Sequence, residues 1–138
     1  MKSSGYSGTP LAKKLGIKDG FKIFIINEPD HYFSLFDDMP TDVDIIHNLK
    51  SKLDVIHYFV KEEEELRKNI LLLKSSIEQN GMIWISWPKQ SSKVPTDITE
   101  DVIRNIALAN GLVDVKVCAI DQVWSGLKLV IPVKERKT

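Results

Sequence analysis

Residues 81–89 read Gly-Met-Ile-Trp-Ile-Ser-Trp-Pro-Lys, and residues 96–107 read Thr-Asp-Ile-Thr-Glu-Asp-Val-Ile-Arg-Asn-Ile-Ala. The first stretch is an apolar run typical of a strand that is buried on both faces. The second begins with residues that cap helices and continues with apolar residues at helical spacing. The polar loop between them leaves the carboxyl end of the strand, which is where open α/β sheets bind ligands. We therefore expect any functional site to lie near this loop.

Strands and helices alternate on both sides of this stretch. Apolar runs predict strands over residues 21–27, 43–47, 54–60 and 82–87, and periodic patterns predict helices over residues 10–15, 62–80 and 99–109. Residues 113–119 and 127–131 alternate between apolar and polar side chains, which predicts a closing antiparallel hairpin. The order predicts an α/β fold: a three-layer Rossmann-like sandwich, with a mostly parallel sheet and a C-terminal antiparallel hairpin, as in the methyltransferase-like variant.

Local signals predict where the helices begin and end. Thr9 as N-cap and Pro10 as first helical residue predict the start of the first helix, and Gly16 predicts its end. Either Asp97 or Thr99 is expected to cap the third helix.

Apolar spacing predicts which side chains are buried. The second helix is expected to bury the stripe Leu66, Ile70, Leu73 and Ile77 and to stop at residues 80–81. A short helix over residues 31–36 is expected to turn Phe33 inward together with Tyr32 and Phe36. In the hairpin, the valines of residues 113–117 are expected to face the core, and Trp124 to lie in the turn over residues 121–126.

The composition is that of one soluble domain over residues 1–138, with residues 1–8 as a flexible lead-in. Lys and Arg together number 19, as do Asp and Glu, so no basic excess favours nucleic acid as a partner. No signal peptide or membrane-spanning run is visible. The single cysteine, Cys118, has apolar neighbours that predict an unreactive core thiol. We expect a cytoplasmic protein that binds neither nucleic acid nor a membrane.

The sequence contains no recognisable motif for a cofactor, a metal or a nucleophile. The turn after the first strand, residues 27–31, has no glycine, and His47 and Asn48 stand where a ribose-binding acid is expected. Both features argue against a dinucleotide or S-adenosylmethionine as cofactor. As an alternative, His31 and His47 could converge at adjacent strand ends and bind a metal together with Glu28 or Asp30. His57 is expected to be a packed, hydrogen-bonded histidine. We predict no cofactor, no metal and no catalytic residue.

The residues best placed to hold a ligand surround the loop after residues 82–87. Trp87 ends this strand, where its indole can be half exposed, and Lys89 brings positive charge. An aromatic wall, lysines and a helix amino end suit a planar or anionic ligand. The predicted ligand-binding residues are Thr9, Lys14, Trp87, Lys89, Thr96, Asp97 and Trp124. The alternative is that the tryptophans belong to the core and the lysines are solvated.

Motifs at both ends and in the second half of the chain carry a resemblance to a known family. They are residues 5–11 (Gly-Tyr-Ser-Gly-Thr-Pro-Leu), 14–16 (Lys-Leu-Gly), 87–89 (Trp-Pro-Lys), 96–101 (Thr-Asp-Ile-Thr-Glu-Asp), 111–114 (Gly-Leu-Val-Asp), 116–119 (Lys-Val-Cys-Ala) and 124–127 (Trp-Ser-Gly-Leu). On these motifs the chain resembles an uncharacterised family of small bacterial proteins, a domain of unknown function. The resemblance implies one complete cytoplasmic bacterial domain and supplies no activity.

Two functions fit these features. The leading hypothesis is a degenerate methyltransferase-like domain that binds a small molecule or a protein partner without catalysis. The alternative is a small cytoplasmic enzyme that acts on an anionic small molecule at the loop from Trp87 to Asp97. In that alternative Lys14 or Lys89 would hold the substrate and Asp97 would be the acid or base.

Overall fold

The computed structural model of the protein describes residues 9–137. Within that range the α-helices are α1 Leu11–Leu15, α2 Glu63–Ser75 and α3 Glu100–Ala109. The strands are β1 Lys22–Ile26, β2 Asp44–Ile45, β3 Leu53–Phe59, β4 Ile77–Pro88, β5 Val113–Ala119 and β6 Trp124–Val130. Short 3-10 helices cover Tyr32–Leu35, Gln90–Ser92 and Val133–Glu135. The predicted lead-in, residues 1–8, lies outside the described residues.

These strands form one sheet in the order β2-β1-β3-β4-β6-β5. Strands β1 to β4 pair in parallel, and β6 is antiparallel to both β4 and β5. The predicted architecture, a mostly parallel sheet closed by a C-terminal antiparallel hairpin, is confirmed. The chain passes from β1 outward to β2 and returns on the other side of β1 as β3. The strand order therefore reverses between β1 and β3, and such a reversal opens a crevice at the carboxyl ends of the strands.

Both faces of the sheet are covered because the central strands are apolar on both sides. Along β4, Ile83 and Ile85 belong to the core beneath α2 and α3, whereas Met82 and Trp84 belong to the core beneath α1. Trp84 is fully buried, and its indole N–H donates to the Leu15 carbonyl oxygen at 2.9 Å. This bond satisfies the one polar atom of a large apolar side chain and fixes α1 on the sheet.

The first helix ends as predicted but is capped differently. Gly16 follows α1 in the left-handed conformation, with φ 82°, which costs glycine little. The prediction that Thr9 is the N-cap is wrong, because Pro10 occupies that position. Pro10 makes no side-chain cap bond. The carboxylate of Asp38 caps the helix instead, accepting from the backbone N–H groups of Ala12 and Lys13 at 3.0 Å each.

The second helix ends at Ser75 rather than at residues 80–81. The hydroxyls of Ser75 and Ser76 both donate to the Leu72 carbonyl oxygen, at 2.8 and 2.7 Å, which satisfies an orphan acceptor of the last turn. Gly81 lies inside β4, where an added Cβ would approach the Leu53 carbonyl oxygen to 3.0 Å, and the pairing of β3 with β4 shifts register nearby. This glycine therefore marks a strand irregularity and not a helix end.

Other side chains expected in the core are exposed. The pairing of β5 with β6 shifts between Asp114 and Lys116, and Val115 and Val117 are 53% and 48% exposed. A bulge of this kind breaks the two-residue alternation on which the prediction rested. Phe33 is 51% exposed, because its 3-10 helix is a single turn with room for fewer inward side chains.

Candidate functional site

A pocket of 540 Å³ opens at the carboxyl ends of β1 and β3, where the strand order reverses. A cavity of this size can enclose a small ligand. Its walls come from the segments after β1 and β3, the first turn of α2 and the start of β6. The lining residues are Asn27, Pro29, Asp30, Phe59, Val60, Lys61, Glu62, Glu65 and Trp124.

Asn27 crosses the crevice between the two strands. Its backbone is left-handed, with φ 60°, a conformation that asparagine tolerates better than most residues. Its side-chain amide donates to the Phe59 carbonyl oxygen at 3.1 Å and to the Glu65 carboxylate at 3.0 Å. A side chain thus occupies the position where a glycine turn would leave room for a ligand to approach the backbone.

Glu65 is held in place by several donors. Besides the Asn27 amide, the Tyr58 hydroxyl donates to its carboxylate at 2.7 Å, and the Asn69 amide donates to that hydroxyl at 3.2 Å. Burial raises the pKa of Tyr58, and the hydrogen bond to Glu65 raises this pKa further. The phenol therefore remains a donor at neutral pH, and it holds the Glu65 carboxylate in place in the pocket wall.

The pocket carries a net negative charge. Asp30, Glu62 and Glu65 line it against a single cation, Lys61. Asp30 and Glu62 are exposed, so their carboxylates are open to solvent and to a ligand. A ligand with a positive charge or hydroxyl groups is favoured here, and an anionic ligand is repelled.

The opposite wall is aromatic. The ring of Trp124 meets the ring of Phe59 edge to face, with centroids 5.0 Å apart and an interplanar angle of 88°. Asp121 accepts from the backbone N–H groups of Val123 and Trp124 at 2.8 Å each, and its second oxygen lies 3.1 Å from His31 Nε2. The turn is therefore fixed by a side chain, and it places Trp124 as a rigid apolar surface beside the carboxylates.

A row of buried, hydrogen-bonded side chains lies directly behind this aromatic wall. His57 is fully buried and stacks on Phe59, with centroids 4.3 Å apart. Its ring nitrogens are hydrogen-bonded to the Tyr32 hydroxyl at 3.0 Å and the Ser86 hydroxyl at 2.7 Å. Burial lowers the pKa of His57 to about 3. The prediction of a packed, hydrogen-bonded histidine is confirmed, and His57 supports Phe59 from below as a neutral ring.

The two predicted tryptophans lie on opposite faces of the sheet. Trp87 is 8% exposed and belongs to the core beneath α2 and α3, so the expectation of a half-exposed indole is wrong. Trp124 is the first residue of β6, not a turn residue, and it pairs with Pro88. Adjacent strand residues point to opposite faces, so the two indoles cannot form one aromatic wall. Only Trp124 reaches the pocket.

Thr96 and Asp97 join the loop before α3 to the start of α2. The Thr96 hydroxyl donates to the Lys61 carbonyl oxygen at 2.7 Å, and Asp97 accepts from the Glu63 backbone N–H at 2.7 Å. Asp97 therefore caps α2, whereas Thr99 caps its own helix by accepting from the Val102 N–H at 3.2 Å. Both contacts hold the pocket wall at residues 61–63 and lie outside the pocket itself.

The predicted lysines form a separate group on the α1 side. The Lys14 ammonium donates to the Ala119 carbonyl oxygen at 3.2 Å, and Lys89 and Lys116 lie close enough to lower the pKa of Lys14 after the larger effect of burial. Thr9 precedes α1 and is exposed. The seven predicted ligand-binding residues thus do not surround a single cavity. Their role in binding stays a prediction.

Two further observations concern metal ligands and membrane-spanning helices. Among the described residues no cluster of three or more His, Cys, Asp or Glu side chains could hold a metal ion, and His31 contacts Asp121 rather than His47. In the same part of the chain no helix is long and apolar enough to cross a membrane.

The sequence of the turn after β1 contains a signal for the pocket. Asn27 directly follows a buried parallel strand, and an asparagine there is a candidate for a left-handed position that bridges the crevice. Phe59 and Glu65 could not be connected to Asn27 from sequence, because their contact depends on the pairing of β3 with β1.

The fold is that of S-adenosylmethionine-dependent methyltransferases. An S-adenosylmethionine-dependent methyltransferase from Aquifex aeolicus superposes with a TM-score of 0.58 at 13% identity, covering 88% of each chain. Magnesium protoporphyrin IX methyltransferase from Synechocystis gives 0.56 at 12% identity, over 88% of this chain and 78% of that one. An O-methyltransferase of neocarzinostatin biosynthesis gives 0.60 at 6% identity, and this chain spans 48% of its length.

Sequence comparison shows the family. No curated protein matches this chain. Residues 35–133 match the family described as "Protein of unknown function (DUF3052)", which is more than half of the 138 residues. The chain therefore belongs to the DUF3052 family, whose function is unknown, and it has a methyltransferase-like fold.

Proposed function

We propose that this domain binds a small planar molecule bearing a positive charge, in the pocket at the ends of β1 and β3, and transfers no methyl group. The observation that carries this proposal is the position of Asn27. Its amide bridges β1 to Phe59 and to Glu65 of α2, in the crevice that this fold uses for ligands.

The lining chemistry supports a cationic, planar ligand. Trp124 offers an aromatic surface that is fixed by Asp121, and aromatic faces bind planar rings and cations. Asp30, Glu62 and Glu65 supply negative charge within the same cavity. Because one lysine faces three carboxylates, the pocket discriminates against phosphate and carboxylate groups.

Two features argue against methyl transfer. The turn after β1 is Asn-Glu-Pro-Asp over residues 27–30 and contains no glycine. The side chain of Asn27 is already hydrogen-bonded to Phe59 and Glu65. The residues after β2 are Ile-His-Asn over residues 46–48, so no carboxylate stands there to hold a ribose. The chain has the fold of a methyltransferase. The glycine turn after β1 and the acid after β2, which would hold an adenosyl cofactor, are both replaced by other residues.

The alternative, an enzyme acting on an anionic substrate at the loop from Trp87 to Asp97, has weaker support. Asp97 already accepts the Glu63 N–H, and Trp87 is buried on the other face from Trp124. Lys89 contributes its backbone N–H to the Val123 carbonyl oxygen at 2.7 Å. These contacts give the loop a structural role that does not require a substrate.

We also infer a reducing, cytoplasmic setting. The one cysteine has no partner for an internal disulfide, and proteins of oxidising compartments more often carry paired cysteines. Exclusive labelling of Cys118 as a free thiol in protein taken directly from cells would agree with this location, and a mixed disulfide would oppose it.

A pair of matched probes tests the binding proposal. Tryptamine and indole-3-acetate share one planar ring and differ in the sign of their charge. At tenfold excess over Kd a ligand stabilises the native state by about 1.4 kcal/mol, which corresponds to a rise in Tm of roughly 3–6 °C. We expect this rise with tryptamine and none with indole-3-acetate.

Two variants complete this experiment. Trp124→Ala should abolish the tryptamine shift, whereas Phe33→Ala, which removes an exposed aromatic ring away from the pocket, should preserve it. A larger shift with indole-3-acetate, or equal shifts in wild type and Trp124→Ala, would reject the proposed site.

A further inference from the structure

Strands β5 and β6 hold two lysines side by side. Lys116 and Lys128 are direct cross-strand partners. Lys128 is also paired with Trp84 of β4, whose indole is bonded to Leu15 of α1. Because directly paired residues lie on the same face of a sheet, Lys116, Lys128 and Trp84 all point to the α1 side.

Helix α1 brings a third ammonium group to the same place. Lys14 Nζ donates to the carbonyl oxygen of Ala119, the last residue of β5, at 3.2 Å. Burial lowers the pKa of Lys14; the neighbouring Cys118 acts in the opposite direction, and Lys116 and Lys89 lower the pKa further. Lysines from α1, β5 and the segment after β4 therefore share one region.

Lys128 experiences a similar environment. Burial lowers its pKa, and repulsion from Lys116 and Lys18 lowers it further. Lys18 follows α1 in sequence, so the segment after this helix also brings positive charge close to Lys128. We define the lysine face as Lys14, Lys18, Lys89, Lys116 and Lys128.

Four of these five lysines stand outside the ion pairs described for residues 9–137. The ion pairs of His31, Arg67, Lys68 and Arg104 are made with other partners, and none of them includes Lys18, Lys89, Lys116 or Lys128. Like charges directly opposite each other destabilise a sheet. The whole chain has 19 basic and 19 acidic residues, so the positive region is local and not a consequence of net charge.

We propose that the lysine face binds a small molecule carrying consecutive phosphate groups. Lysine is an effective phosphate ligand as a point charge, and ammonium groups from different elements can contact more than one phosphate at once. The acidic pocket under Trp124 repels such groups, so this site is distinct from the one proposed above and does not rest on it.

Tripolyphosphate is the test ligand, titrated by calorimetry at low ionic strength with orthophosphate as the single-phosphate reference. We expect saturable binding of tripolyphosphate, weaker binding of orthophosphate, and loss of affinity on addition of salt. Lys116→Glu and Lys128→Glu should each lower the affinity roughly tenfold or more, because each reverses a charge in contact with the anion. Lys50→Glu makes the same change at an exposed lysine outside the lysine face and should have little effect.

Folding and binding are separated by the thermal midpoint of each variant without ligand. Removing the Lys116–Lys128 repulsion should raise Tm by about 1–4 °C, so weaker binding by a more stable variant cannot be attributed to misfolding. Absence of saturable binding at millimolar tripolyphosphate would overturn the proposal, as would equal losses in Lys50→Glu and Lys116→Glu. Binding of single-stranded oligonucleotide through these lysines, without binding of tripolyphosphate, would also overturn it in favour of a nucleic-acid surface.

Discussion

Lowering the pH from about 7.5 to about 4 is expected to destabilise the fold by about 3 kcal/mol through His57 alone. In the folded protein this ring is fully buried between Tyr32 and Ser86 and stacks on Phe59. Burial lowers its pKa from 6.5 to about 3. The proton therefore binds more strongly to the unfolded chain than to the native protein.

The sign and size follow from that difference. Because the folded-state pKa is depressed, the contribution is fully present above about pH 7 and is lost as the pH falls toward the folded pKa. At about pH 4 protonation favours the unfolded state by a factor of about 300, which is close to 3 kcal/mol. That is a large part of the roughly 5–15 kcal/mol by which a domain is usually stable.

The assay compares wild type with His57→Gln, which removes the titrating ring and keeps a donor and an acceptor between Tyr32 and Ser86. Urea unfolding is followed by tryptophan fluorescence at several pH values. The carboxylates and the exposed His31 and His47 are common to both proteins. Their contributions to the pH dependence of stability therefore cancel when the variant is subtracted from wild type. We expect the stability advantage of wild type to shrink by about 3 kcal/mol between the two pH values. A difference that does not vary with pH would refute the assignment of His57 as a buried neutral ring.

Two further predictions concern contacts that position the pocket and the sheet. Asp97→Ala removes the acceptor of the Glu63 N–H and should lower the free energy of unfolding by about 1 kcal/mol, measured by urea unfolding. Asp101→Ala, at a largely exposed ion pair with Arg104, should cost less than about 0.5 kcal/mol, and equal losses in the two variants would contradict the capping role. Gly126→Ala places a Cβ 3.1 Å from both Trp84 and Ile120 and should lower stability by about 1–3 kcal/mol through overpacking; an unchanged Tm would show that these side chains can move apart at no cost.

The sheet could be predicted from sequence because its signals are local. The apolar runs over residues 21–27 and 54–60 correspond to β1 and β3, and the alternating residues after 113 to the closing hairpin. The end of α2 could not be predicted, because Gly81 serves a strand irregularity beside Leu53 that exists only once β3 and β4 are paired. Likewise Asp38 caps α1 across 26 residues of sequence, and no local motif indicates such a contact.

The edge of the sheet that carries the candidate site could be predicted from the sequence. The residues that form the site could not. The buried apolar run over residues 82–87 and the polar loop after it indicate the carboxyl-end edge of the sheet, and Trp124 is among the residues predicted there. Trp87 and Trp124 were assigned to one wall because their pairing register was unknown, and the register places them on opposite faces. The bridge from Asn27 to Glu65 joins residues 38 apart in sequence, so only the folded chain brings these two pocket residues together.

Equilibrium dialysis with S-adenosylmethionine labelled on its methyl group shows whether the crevice around Asn27 accepts this cofactor. On the proposed function, the Asn27 side chain occupies the crevice of this methyltransferase-like fold, so the crevice does not accept the cofactor. We predict no saturable binding of the label at millimolar concentration by a protein whose Tm still rises with tryptamine. Saturable binding that Trp124→Ala abolishes would contradict the account and identify the pocket as a cofactor site for methyl transfer.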